Sequence, residues 1–164
     1  MADRTLGKLV KGLRMLGFDT LYYTGRDIHQ LLHLSRDEGR VLLTRDRKLA
    51  LRRPKDRILT ITEDKPSRQV EEVIRKASLR LDEEVLFSRC LLCNELLEEI
   101  PKKEAEGRVP DFIFNQHGDF FRCPACRRIY WPGSHLTQMR RRVEELAKGV
   151  SVEKGPAGPV SLKD

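Results

Sequence analysis

Two short stretches constrain this chain more than anything else in it: Cys90-Leu91-Leu92-Cys93 and Cys123-Pro124-Ala125-Cys126, separated by 29 intervening residues. They contain all four cysteines of the chain. Paired Cys-x-x-Cys knuckles at this separation are the pattern of a closed, four-thiolate tetrahedral zinc site, a zinc ribbon. A redox-active Cys-x-x-Cys would need only one pair at the start of a helix. A four-thiolate site has no open coordination position, so the zinc expected on Cys90, Cys93, Cys123 and Cys126 is structural, organising a segment expected to be too small to build its own core.

Ahead of the knuckles the pattern is different. Leu6, Leu9, Val10, Leu13 and Leu16 recur at helical spacing after Asp3, and Gly17 is placed as a left-handed stop. Phe18 to Tyr23 reads as a strand and Asp27 to Asp37 as a second helix closed by Gly39. Arg40-Val41-Leu42-Leu43-Thr44 follows as a short strand buried on both faces, delivering Thr44-Arg45-Asp46 to its carboxyl end. A short helix to Leu51, a strand over Arg57 to Thr62 and a helix capped by Ser67 complete the alternation, which predicts a parallel sheet flanked by helices. Asp111-Phe112-Ile113-Phe114 and Asp119 to Arg122 look strand-like, Ile129-Tyr130-Trp131 completes a hairpin, and Ser134 is placed to cap a terminal helix carrying Arg140 to Arg142. The expected division is a unit over residues 1–86, a zinc ribbon with its C-terminal helix over 87–147, and a disordered tail over 148–164.

In open α/β sheets, sites are built at the carboxyl ends of the strands. Asp3, Asp27 and Asp46 stand at such ends or at helix starts, and three converging carboxylates would suit Mg²⁺ or Mn²⁺. Each is equally suited to capping a helix, the common role of Asp there. His29 and His33 lie four apart on one helix face, but without further ligands they fall short of a metal site.

The net charge of +7 favours polyanions, nucleic acid first, and the run Arg45, Arg47, Lys48 behind the central strand is the expected grip on phosphates. No apolar run approaches the roughly 20 residues that span a bilayer, so no membrane partner is expected. The first residues lack a secretory pattern, and a cytosolic, reducing location is expected, in keeping with free thiols.

Taken in order, Asp3-x-x-Leu6-Gly7-x-Leu9, Leu13-Arg14-x-Leu16-Gly17-Phe18-Asp19-Thr20, Arg40 to Arg47, Arg89-Cys90-Leu91-x-Cys93-Asn94, and Cys123-x-x-Cys126-x-x-Ile129-Tyr130-Trp131-x-Gly133-Ser134-His135 resemble the Mut-seven C-terminal RNase family. The resemblance implies a PIN-like nuclease fold joined to a C-terminal zinc ribbon. It also implies that Asp3 ends the first strand, that Asp27 opens the helix before the central strand, and that Asp46 belongs to the Thr-Arg-Asp motif. Many PIN nucleases use a fourth acid, for which Glu38, Glu63 and Asp64 are candidates. Only Met1 and Ala2 precede Asp3, fewer apolar residues than the family usually has there. The function expected is metal-dependent hydrolysis of RNA. The alternative is a non-catalytic RNA- or ribosome-binding zinc ribbon, and a third reading, a protein-interaction adaptor, leaves the basic charge without a role.

Overall fold

The computed structural model describes residues 1–53 and 55–133. The helix expected from Ser134, with Arg140 to Arg142, and the tail lie outside the described residues.

The chain begins in the middle of a parallel sheet. Ala2 bridges Tyr22 on one side and Leu43 on the other, both in parallel. Its N–H donates to the Leu21 carbonyl and its carbonyl accepts from Tyr23, while the Met1 carbonyl accepts from Leu43 and the Asp3 N–H donates to Leu43. Three residues thus make a ladder on both sides. Strand β1 (Leu42–Thr44) pairs in parallel with β2 (Ile58–Thr60), with Leu42 opposite Ile58. The spatial order is therefore Leu21–Tyr23, Met1–Asp3, β1, β2, and the chain reverses direction across the sheet between Met1–Asp3 and β1.

Alternation along these segments sorts side chains onto two faces. Ala2 and Leu43 enter one apolar cluster with Leu9, Val10 and Leu13 of α1 (Gly7–Met15) and with Val73 and Ile74 of α4 (Pro66–Lys76). Met1 and Leu42 enter another with Leu31 and Leu32 of α2 (Ile28–Asp37) and Leu49 of α3 (Arg47–Arg52). The helices cover both faces, as a parallel sheet requires. Gly12 is where α1 meets α4: a Cβ there would lie 2.7 Å from the Val70 Cγ2.

Several local expectations are corrected. The Phe18–Tyr23 strand is shorter, with pairing confined to Leu21–Tyr23. Asp3 does not open α1, whose N-cap is Leu6. α4 starts at Pro66 with Lys65 as its N-cap, not at Ser67, because proline is preorganised for the first helical position. The most instructive correction is Asp111–Phe114, which is not a strand but the start of α5 (Asp111–Gln116). Pro110 and an acidic first turn set a helix start there, and Ile113 is buried while Phe112 faces solvent.

Beyond two short 3₁₀ turns, β3 (Glu98–Ile100), β4 (Phe120–Arg122) and β5 (Ile129–Tyr130) form an antiparallel sheet in that order. The expectation that this segment lacks a core is also corrected. Ile100, Ala105, Val109 and Ile113 surround a fully buried Phe120, and Phe114 stacks on Phe120 with ring centroids 6.2 Å apart.

Candidate functional site

The four cysteine sulfurs all lie within 4.8 Å of one another. Cys90 and Cys126, one from each knuckle, have sulfurs 3.7 Å apart. A tetrahedral ion with metal–sulfur bonds of about 2.3 Å requires sulfurs about 3.8 Å apart, so the spacing suits a zinc-type metal. The two knuckles repeat one backbone design. Cys93 N–H donates to the Cys90 sulfur, and Cys126 N–H to the Cys123 sulfur. The Cys90 and Cys123 carbonyls each accept from the residue four positions on, Asn94 and Arg127, and both of these residues have left-handed backbones, φ +72° and +63°.

Tyr130 adds a partner that the spacing of cysteines does not announce. Its hydroxyl lies 3.1 Å from the Cys90 sulfur. Burial pushes the Cys90 thiol up, but the Tyr130 hydroxyl and the backbone amides of Cys93 and Leu92 outweigh it and bring the thiol down to about 6. Burial and the neighbouring sulfur push Tyr130 itself upward.

The first knuckle is docked on the parallel-sheet half. Asn94 Nδ2 donates to Asp19 at 2.6 Å, and Asn94 Oδ1 accepts from Thr20 N–H at 2.9 Å. Arg14, buried on α1, donates through Nη1 to the Leu91 and Leu92 carbonyls and through Nε to the Thr20 carbonyl. Arg89 reaches back to the Gly17 carbonyl. Burial opposes charge on Asp19, yet its bonds from Arg40 and Asn94 hold its carboxyl below the ordinary value.

The second candidate site lies at the carboxyl edge of the parallel sheet. Thr44, 1 % exposed, donates its hydroxyl proton to Asp3 Oδ2 at 2.6 Å and accepts from Asp46 N–H at 3.1 Å. The other Asp3 oxygen accepts from the backbone and hydroxyl of Thr5. Asp3 and the Asp46 backbone are thus joined through one buried hydroxyl, where the sheet order reverses and α/β proteins place their ligands. Asp46 caps α3, its Oδ1 accepting from Lys48 and Leu49 N–H. Asp27 caps α2 in the same way, its Oδ1 accepting from His29 and Gln30 N–H. Among the described residues, no hydrogen bond reaches Oδ2 of Asp27 or Asp46.

The acids are not gathered as the sulfurs are. Among the described residues, the cysteines alone bring three or more metal-capable groups within 4.8 Å of one another. Of the fourth-acid candidates, Asp64 pairs with Arg45 at 2.6 Å beside this edge, and Glu38 is drawn to Arg40. Glu63 contributes its backbone N–H to Glu72. His33 pairs with Asp37, leaving the His29 and His33 pair without a metal-binding set. Arg47 and Lys48 stand exposed at the start of α3. No helix among the described residues is long and apolar enough to cross a membrane.

The family model of the Mut7-C RNAse domain matches residues 1–143, most of the chain. The chain belongs to that family. Neither a curated protein nor a solved structure matches it. Membership in the Mut7-C RNAse domain family points to RNA as substrate or partner and to nuclease-like chemistry, and the cysteine cluster gives this member a site that can hold metal.

Proposed function

We propose that this protein is a metal-dependent ribonuclease that hydrolyses RNA phosphodiester bonds at Mg²⁺ or Mn²⁺ held by Asp3, Asp27 and Asp46. In this reading residues 1–86 form a PIN-like catalytic unit working in the cytosol, and the segment from Phe87 is a zinc ribbon that helps to hold RNA. The observation that carries the reading is the Asp3–Thr44–Asp46 linkage at the sheet's reversal point. Capping does not compete with ligation there, because one oxygen of Asp46 serves both α3 amides and the other remains for a hard cation. The same division holds at Asp27. The chemistry such a cation would supply when bound is activation of a water nucleophile and stabilisation of the oxygen that leaves the phosphodiester. Asp3, Asp27 and Asp46 would hold the cation, and Thr44 would fix the Asp3 carboxylate in one orientation.

A second reading is favoured by the separation of the three carboxylates, since among the described residues only the cysteines gather as a metal-capable group: a non-catalytic RNA- or ribosome-binding protein. Incubating the zinc-loaded protein with labelled RNAs and Mg²⁺, Mn²⁺ or neither separates the two. Cleavage that needs the added cation and is lost in Asp3→Asn and Asp46→Asn is expected. RNA left intact under every condition, though bound, would favour the second reading.

A further inference from the structure

Two clefts meet on the side of α1 away from the core. One, of about 600 Å³, runs from Thr5 and Arg45 at the carboxyl edge past Lys8 and Lys11 to Leu91 and Leu92 of the first knuckle. The other, of about 450 Å³, begins at the same Lys11, Leu91 and Leu92 and continues to Arg108, Arg127 and Arg128 of the ribbon. The three shared residues make them one path. At its first end Thr5 is hydrogen-bonded to Asp3, and Arg45 directly precedes Asp46 in the chain. At its other end the cations belong to the second knuckle and its neighbour.

Among the described residues, most of the charge along this path has no ion-pair partner. No ion pair among the described residues engages Lys8, Lys11, Arg108, Arg127 or Arg128. Arg45 is the exception, matched by Asp64, which also lines the first cleft. Between the cations the path exposes apolar surface. Tyr22 is 38 % and Leu92 46 % exposed. Tyr22 is held in place by its hydroxyl bond to the Arg4 carbonyl. Cations spaced along a groove with exposed ring and apolar surface between them suit a single strand, whose phosphates meet the charges and whose unpaired bases lie on the apolar faces. A duplex keeps its bases stacked on each other and cannot use those faces. The floor is also firm, because Arg14 ties Leu91 and Leu92 to α1.

We infer that one single strand of RNA occupies both clefts at once, running from the Asp3–Asp46 edge along Lys8 and Lys11 to Arg108, Arg127 and Arg128. The inference rests on RNA being the ligand, as proposed above. It assigns the grip to the α1 face and the second knuckle, and leaves Arg47 and Lys48, which line neither cleft, outside it.

The test is binding of fluorescent, unstructured RNA oligonucleotides of increasing length to the zinc-loaded full chain without added Mg²⁺ or Mn²⁺, over a series of salt concentrations. Lys8→Ala with Lys11→Ala removes one end of the grip. Arg127→Asn with Arg128→Ala removes the other, asparagine tolerating the left-handed backbone at 127. Arg52→Ala with Arg53→Ala, at the end of α3 and lining neither cleft, is the control. For long oligonucleotides both track pairs should lower affinity roughly fivefold at 0.1 M salt for each phosphate left without its cation, and reduce the log–log salt slope by about 0.7 for each such phosphate. The shortest oligonucleotides should respond to one pair only, and the control pair should change nothing. Unchanged zinc content and far-ultraviolet circular dichroism of each variant exclude misfolding as the cause. Track pairs no more harmful than the control, or a duplex bound as tightly as the single strand, would overturn the inference. Because the readout is binding alone, a track that behaves as expected in a protein that never cuts RNA would leave this inference standing and remove the ribonuclease reading alone.

Discussion

The sulfur cluster and the carboxylate edge are both candidate metal sites, and they are built on opposite principles. Four sulfurs sit side by side within 4.8 Å. The three aspartates are instead each supplied with their own donors: a threonine pair for Asp3, and two helix amides each for Asp27 and Asp46. The chemistry of the groups accounts for the difference. Thiols can be neutral and tolerate one another's company, whereas ionised carboxylates brought together repel at a cost of several kcal/mol in a partly buried site. A sulfur site can therefore be assembled by backbone geometry alone. At the carboxylate edge, amides and hydroxyls serve the three acids separately.

The largest effect should come from breaking the sulfur side of this contrast. Cys90→Ser or Cys123→Ser should abolish stoichiometric zinc, measured by metal analysis under reducing conditions. Structural zinc supplies about 10–16 kcal/mol of apparent free energy to small domains at neutral pH. The β3–β4–β5 sheet should lose its NMR dispersion while α1, α2 and α4 persist, since their apolar clusters do not include the ribbon's core residues. A ribbon that stays folded without metal would show that the Phe120 core, not the sulfurs, holds it.

On the carboxylate side, Glu72 is the reference for an acid satisfied entirely by the protein. It is 2 % exposed and accepts from Thr62, Glu63 and Lys76. Burial alone would raise its carboxyl, but the bonds from Lys76, Thr62 and Glu63 prevail and bring it down to about 2. Because the folded value lies below the unfolded one, its contribution is complete above about pH 4.5 and is lost as pH falls toward 2. That contribution is roughly 3 kcal/mol at one unit per 1.36 kcal/mol. Urea midpoints across this range should fall for wild type and flatten for Glu72→Gln. Equal pH dependence in the two proteins would place the acid sensitivity elsewhere.

Asn94→Ala should cost about 2–3 kcal/mol, since it strips a buried backbone N–H and a carboxylate of their partner. Asn94→Gly keeps the left-handed backbone but not the bridge, and should recover only the backbone part of that loss. Denaturant midpoints of the two variants separate the contributions, and a full recovery by glycine would show that the bridge to Asp19 and Thr20 contributes nothing.

Substitution of Asp46 should give the smallest stability change and, if the proposed chemistry holds, the sharpest functional one. Asp46→Asn preserves a capping oxygen, so thermal stability should hold, while replacing the other oxygen by an amide should remove cation-dependent cleavage. Asp46→Ala should lose about 0.5–2 kcal/mol as well. Cleavage undiminished in Asp46→Asn would reduce Asp46 to a cap.

What was legible in the residues follows the same division. The sulfur site could be read from spacing because a knuckle is local, its amides and sulfurs three residues apart. The parallel sheet could be read from the alternation of helix and strand patterns, and Met1–Asp3 takes its place in it with ladders on both sides. Asp111–Phe114 looks like a strand because three consecutive apolar residues of high β-propensity follow Asp111, although Pro110-Asp111 already carries a helix start. The Thr44 bond to Asp3 spans 41 residues and the Asn94 bond to Asp19 spans 75, and no periodicity encodes such pairings. The two clefts escaped for the same reason, since Lys11 and Arg128 share a surface only after the ribbon docks.

Asn94 has a consequence that reaches past packing. It directly follows a metal-site cysteine, and its side chain is fixed by Asp19 and Thr20. Any ordering of the knuckle by a bound ion therefore orders Asn94 for its partners, and the partners order the knuckle for the ion. In a thermodynamic cycle these two gains are the same quantity, whichever event comes first. Asp19→Ala, far along the chain from every sulfur, should then weaken the protein's hold on zinc in competition with a chelator by the factor through which zinc strengthens the docking of the two halves.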